Sequence, residues 1–169
     1  MYSRICDELK INWLLIENNS QNSCFNTLSW IENYFSTCVE NDSKIRIFVI
    51  FSDQKPICVL PFEIIKKFKT NILQWAGSLK SDFNSPLVQK NYKFDNQSFN
   101  DIWNRILKML PEIDVVYLQR QIYFSENLNN PFINFVKNYL IIIILIKVNI
   151  RQKIISIINI IFQFKINFI

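Results

Sequence analysis

The composition of this chain breaks near residue 135, and that break limits what the chain can fold into more than any motif does. Of the last 30 residues 14 are Ile, and Ile, Asn, Lys and Phe together make 23. That stretch contains no Gly, Pro, Asp or Glu, so the usual turn and cap signals are nearly absent. Residues 1–135 mix apolar periodicity with polar breaks and read as one soluble α/β domain; residues 136–169 read as an Ile-rich tail outside it. A chain of 169 residues has room for one ordinary domain. Half of it is hydrophobic and 15% aromatic, enough for a real core.

The net charge follows the same division. Residues 1–126 hold 14 basic and 14 acidic side chains, which cancel. The last acid is Glu126, and Lys137, Lys147, Arg151, Lys153 and Lys165 follow it. The whole +5 therefore belongs to the tail and says little about a partner of the domain. No nucleic-acid partner is expected.

Missing residue types exclude several chemistries. There is no histidine, which rules out His-dependent triads and His-containing zinc sites. Cys6, Cys24, Cys38 and Cys58 show no CxxC spacing, so reduced thiols in a cytoplasmic protein are expected. Arg4, Asp7, Glu8 and Lys10 interrupt the N-terminus, and no signal peptide is expected there. Gly77 is the only glycine, and phosphate-cradling loops need several.

Apolar spacing predicts the elements. Ile5, Leu9, Trp13 and Ile16 give a helix over about 4–17, and Phe25, Leu28, Ile31, Phe35 and Cys38 a second over about 24–39 with Asn22 or Ser23 as N-cap. The period then changes. Residues 45–51 read as a buried strand, Ser52–Lys55 as a four-residue turn and Ile57–Ile65 as the returning strand. Pro61 inside that strand predicts an edge position or a bulge. Ile72–Trp75 is a third strand, leading into a long loop that ends at Pro86. Ser98 is the expected cap of a third helix, which Pro111 stops, and Val115–Leu118 is a fourth strand. The order predicts an α/β layered domain with hairpin connections.

The tail admits three readings. As a membrane anchor it offers only the eight uninterrupted residues Tyr139–Ile146, where about 20 are needed to span. As native chain it would be a helix or strand pair closing the core. As an off-frame translation of AT-rich DNA, it would yield mainly the four residue types that dominate it.

Phe25, Trp30, Ile31, Tyr34 and Phe35 lie on one predicted helix. After them come the strand Ile45–Phe51, Val59-Leu60-Pro61-Phe62, Trp75-Ala76-Gly77 and Ser81-Asp82-Phe83-Asn84-Ser85-Pro86-Leu87-Val88. Over about residues 10–125 this series resembles the N-terminal half of GNAT-type acetyltransferases related to the CelD proteins of cellulose biosynthesis. Phe83 stands where the family's loop usually has Tyr. The resemblance implies a GNAT-like mixed sheet flanked by helices, the first half of a tandem GNAT. It also implies a C-terminal half packed on this domain, an acyl-CoA donor bound by that half, and a small-molecule acceptor with an amine or hydroxyl. GNAT enzymes hold the donor's pyrophosphate on a helix-opening turn that reads Arg or Gln, two residues, Gly, one residue, then Gly or Ala. No such turn occurs here; Arg151-Gln152-Lys153-Ile154 comes nearest and lacks glycine. No cofactor site is therefore expected in this chain, and a frameshift close to residue 138 would account for the missing half. The alternative is a small non-enzymatic protein that docks on a membrane or partner through its tail.

The candidate binding residues are Trp75, Asp82 and Asn84, on the loop that carries the only glycine. Asp82 and Asn84 could hold a substrate amine or hydroxyl against Trp75. The competing reading is a solvated turn with Trp75 in the core and Asp82 capping locally. Lys66, Lys67 and Lys69 surround Phe68 as a short basic patch, for which the reading is either phosphate contact or protection of a hairpin edge. Asp7-Glu8 reads as a helix start and Glu112 with Asp114 as a strand entry. Tyr117 and Tyr123 are either proton donors or core tyrosines.

Overall fold

The computed structural model describes residues 1–20, 23–38, 43–121 and 130–132, and the backbone of 141–145. Tyr123, the five tail cations, the Arg151–Ile154 fragment and the junction near residue 138 lie outside the described residues. Among the described residues the chain is α/β, a mixed sheet flanked by helices. Helices α1 (Asp7–Glu17) and α2 (Leu28–Thr37) come first, then strands β1 (Lys44–Ser52), β2 (Lys55–Lys67), β3 (Thr70–Trp75) and β4 (Leu87–Val88). Helix α3 (Asn96–Lys108), strand β5 (Val115–Gln119) and strand β6 (Ile141–Leu145) complete it. The sheet runs β1-β2-β3-β5-β6, with β4 paired to β2 beyond the end of β3. All neighbours are antiparallel except β3 and β5.

Alternation along the strands builds two cores. Cys58, Leu60, Phe62, Leu73, Trp75, Val116 and Leu118 face α3 and pack on its Phe99, Trp103 and Ile106. Ile47, Val59, Ala76 and Leu87 face the other way, onto Leu9, Trp13 and Ile16 of α1 and Leu28 and Ile31 of α2. This period-2 division is why β2 reads as a continuous apolar run: both of its faces are covered.

The helix starts differ from expectation. Cys24–Asn26 is a short 3-10 turn, and Thr27, not Asn22 or Ser23, caps α2 by accepting from the Trp30 amide at 3.3 Å. Asp95, not Ser98, caps α3. Its carboxylate accepts both the Ser98 amide and the Ser98 hydroxyl, and these bonds hold its pKa below the ordinary value. A carboxylate also complements the positive end of the helix better than a hydroxyl does.

Pro61 is neither at an edge nor in a bulge. It pairs with Ile47 of β1, and the only register shift between these strands lies at Ile50–Phe51. Ile47 turns its own amide and carbonyl outward, to Tyr2. On the other side of β2, β3 ends opposite Phe62 and β4 begins opposite Val59. The missing N–H of Pro61 falls into that fork, while its carbonyl accepts from the Ala76 amide at 2.8 Å. A proline is tolerated in a central strand where no donor is asked of it.

The sheet also extends past residue 135. Ile141–Leu145 lies antiparallel on β5, Gln119 opposite Ile141 and Val115 opposite Leu145. This short part of the tail forms the outer strand on that side.

Candidate functional site

Because β3 and β5 run parallel, both deliver the chain to the same end of the sheet, where loops of α/β proteins meet ligands. From β3 the chain passes Ala76 and Gly77 into a 3-10 turn at Ser78–Lys80, and Asn84 then bridges to Gln121 just beyond β5. The loop is tied down by its own polar groups. The Asn84 amide donates to the carbonyls of Ser78 (3.2 Å) and Gln119 (3.3 Å), and its Oδ1 accepts from the Ser81 hydroxyl at 2.7 Å. Gln119 donates to Ser78 Oγ at 2.6 Å and accepts from the Tyr117 hydroxyl at 3.0 Å. Arg120 donates to the Ser81 carbonyl at 2.7 Å. Burial pushes the Tyr117 pKa up to about 12, so the group keeps its proton at neutral pH.

The three residues singled out from sequence occupy three different surroundings. Trp75 is a core residue on the α3 face, its ring against Phe62 and Phe132, with a buried Nε1 that has no hydrogen-bond partner among the described residues. Asn84 is buried and spends its amide inside the loop. Asp82 is exposed, and among the described residues its carboxylate makes no hydrogen bond. Only Asp82 offers a polar group toward solvent.

A second polar group on the α2 face was not singled out from sequence. Glu63 of β2 is fully buried. It accepts from the Tyr34 hydroxyl at 2.9 and 3.1 Å, and from the Gln74 amide at 2.9 Å. Burial first, then the charge of Glu63, raises the Tyr34 pKa. Tyr34 stacks on Trp30 with rings 2° from parallel and centroids 5.5 Å apart, and Phe25 meets Trp30 edge-on. Gly77 closes the cluster. Its φ is +82°, and a Cβ there would overlap the Trp30 ring, so this position requires glycine on two counts. The signal for Glu63 was a lone acid in an otherwise apolar strand, where a charge persists only with partners.

Three further acids are held in contacts that serve structure. Asp114 accepts from the Asn71 amide at 3.0 Å, and Glu112 pairs with Arg46 at 3.0 Å. Burial pushes the Glu112 pKa up, but hydrogen bonds from its own backbone and Arg46, with the Arg46 charge, outweigh it and leave it lowered. Glu8 accepts from the Tyr2 hydroxyl.

The helix starts do not fit an acyl-CoA pyrophosphate. The Leu28 amide donates to a Glu17 carboxylate oxygen at 2.7 Å and the Trp30 amide to Thr27. Asp95 occupies the start of α3, and α1 opens on Asp7 and Glu8. Carboxylates already stand where an anion would have to sit. Among the described residues there is also no group of His, Cys, Asp and Glu placed to hold a metal, and no helix long and apolar enough to cross a membrane. No protein-family model matches the chain, and a search of curated proteins finds no significant relative.

Proposed function

We propose that residues 1–135 are the first half of a tandem acyltransferase of the CelD-like GNAT type, presenting the acceptor side while a C-terminal half carries the acyl-CoA donor. The chemistry would be attack of an acceptor amine or hydroxyl on the thioester carbonyl, with the CoA thiolate leaving. One observation carries the reading. The residues of the resemblance, scattered over about 60 positions, support one another in space. Trp30 stacks on Tyr34 and seats Gly77, Tyr34 binds Glu63 beside Pro61-Phe62, and Ser85 accepts from Asn26 next to Phe25 at 3.1 Å. Spaced residues that form one packed unit are what a family motif requires. No step is assigned to the residues of this chain, whose helix starts do not fit the donor. The role left to them is to shape and hold the acceptor surface around Asp82 and the loop that Asn84 anchors.

The encoding DNA tests this directly. Translation past codon 137 in the other two frames should restore Gly, Asp and Arg and reach the glycine-containing pyrophosphate turn. If both frames close with stops, the tandem reading fails, and a non-enzymatic protein that docks through its tail takes its place.

A further inference from the structure

The end of the sheet opposite the polar loop carries a feature that the acyltransferase reading does not use. β2 turns into β3 through a two-residue connection, Lys67 pairing with Thr70. At its tip Phe68 has φ +52° and is 68% exposed. A bulky aromatic in that backbone region is an outlier that local preference does not explain. Lys66 and Lys69 are exposed on either side of it and make no ion pair among the described residues.

The neighbouring elements add to the same end. The Asn71 side chain binds the Glu112 carbonyl at 2.7 Å, and the Asp114 amide binds the Asn71 carbonyl. These contacts bring the α3 C-terminus, with exposed Lys108 and half-exposed Met109, to the side of the hairpin. Lys44 is exposed at the start of β1, opposite Ile64. Among the described residues the acids of this end are engaged: Glu112 pairs with Arg46 and feels the charge of Lys44, and Asp114, buried, accepts from the Asn71 backbone amide. What remains among the described residues is a basic surface of exposed Lys66, Lys69 and Lys108, with Lys44 at its margin, around an exposed aromatic ring and a methionine.

We propose that this hairpin tip is a contact site for an anionic lipid surface, Phe68 entering the headgroup layer while the lysines pair with lipid phosphates and carboxylates. The shape favours a bilayer over a nucleic acid. The tip offers one exposed aromatic ring on a two-residue turn, where single-strand binders present a groove with several stacking platforms. Cations around an apolar wedge are the complement of an anionic interface. The proposal is independent of the acyltransferase reading and uses none of its residues.

The test is flotation of the full chain with phosphatidylcholine vesicles, with and without phosphatidylserine. Binding should require the anionic lipid and weaken at raised salt. Lys66→Gln with Lys69→Gln should reduce binding roughly tenfold or more. Phe68→Asn suits the positive φ, so the fold is retained while binding falls and its salt dependence persists. Thermal unfolding of each variant separates lost contact from lost fold. The proposal is overturned if the chain ignores anionic vesicles. It is also overturned if folded variants float as the parent does, which would place the contact in the Ile-rich tail. Variant-sensitive retention on single-stranded nucleic acid without vesicle binding would overturn it as well.

Discussion

Tyr34 and Glu63, 29 residues apart, are joined by a hydroxyl that reaches both oxygens of a fully buried carboxylate. Tyr34→Phe removes a donor to a buried charge and should cost about 1–3 kcal/mol. Glu63→Ala strands both the Tyr34 hydroxyl and the Gln74 amide, and should cost about 2–6 kcal/mol, about 1–3 for each donor. Urea unfolding midpoints at neutral pH measure both. A Tyr34→Phe variant as stable as the parent would mean that the carboxylate is satisfied without it.

Gly77 and Trp30 make a second pair with a calculable coupling. Gly77→Ala adds a methyl into the Trp30 ring at a backbone angle that disfavours it, an expected loss of about 2–4 kcal/mol. In a Trp30→Leu background the overlap is relieved and only the backbone penalty of about 1 kcal/mol should remain. A double-mutant cycle by denaturant titration reads the difference. Additive losses would count against the contact.

Asn84 and Asp82 should behave as opposites although they are two positions apart. Asn84→Ala removes the buried hydrogen bonds that tie the loop to itself and to β5, at about 2–3 kcal/mol. Asp82→Ala should change stability by less than about 0.5 kcal/mol. If Asp82 serves the acceptor, the same substitution in a two-half protein should raise KM for an amine substrate with little change in Tm. An unchanged KM would remove Asp82 from the site.

Tyr117 sets an alkaline limit. Its folded pKa is raised from 10.0 to about 12, so its contribution is fully present below the unfolded value of 10 and is lost as pH rises through 12. Urea midpoints followed over that window should fall less steeply in Tyr117→Phe than in the parent. The variant should also lose one late phenolate transition from the ultraviolet titration. Parallel slopes would show that Tyr117 ionises like an exposed phenol.

Apolar periodicity made most of the architecture legible. Ile5 to Ile16 located α1, the β-branched run at 45–51 located β1, and Phe99 to Leu110 located α3. The caps were missed because Thr27 and Asp95 lie only four and three residues from Ser23 and Ser98, all of them residues that can cap, and spacing alone does not rank them. β4, two residues long, has no period to read. Pro61 misled because its meaning depends on where two other strands end. At the loop, Trp75, Asp82 and Asn84 were visible as residue types. That Trp75 faces the α3 core follows from its pairing with Phe62 of β2, and that Asn84 turns inward follows from its bond to the Gln119 carbonyl of β5, 35 residues away. Glu63 was legible in principle, since a lone carboxylate in an apolar strand needs partners, but nothing in the spacing names Tyr34 and Gln74.

The proline in the middle of β2 has a consequence for folding fidelity. Apart from Glu63, the strand Ile57–Ile65 is apolar throughout, and by apolar patterning alone it could slide by two residues against its neighbours with those side chains still on apolar faces. At most such positions Pro61 would stand where β3 or β4 asks for a donor it does not have. The residue that looks like a defect in the ladder therefore acts as a register lock, admitting the alignment in which the fork between β3 and β4 lies beside it.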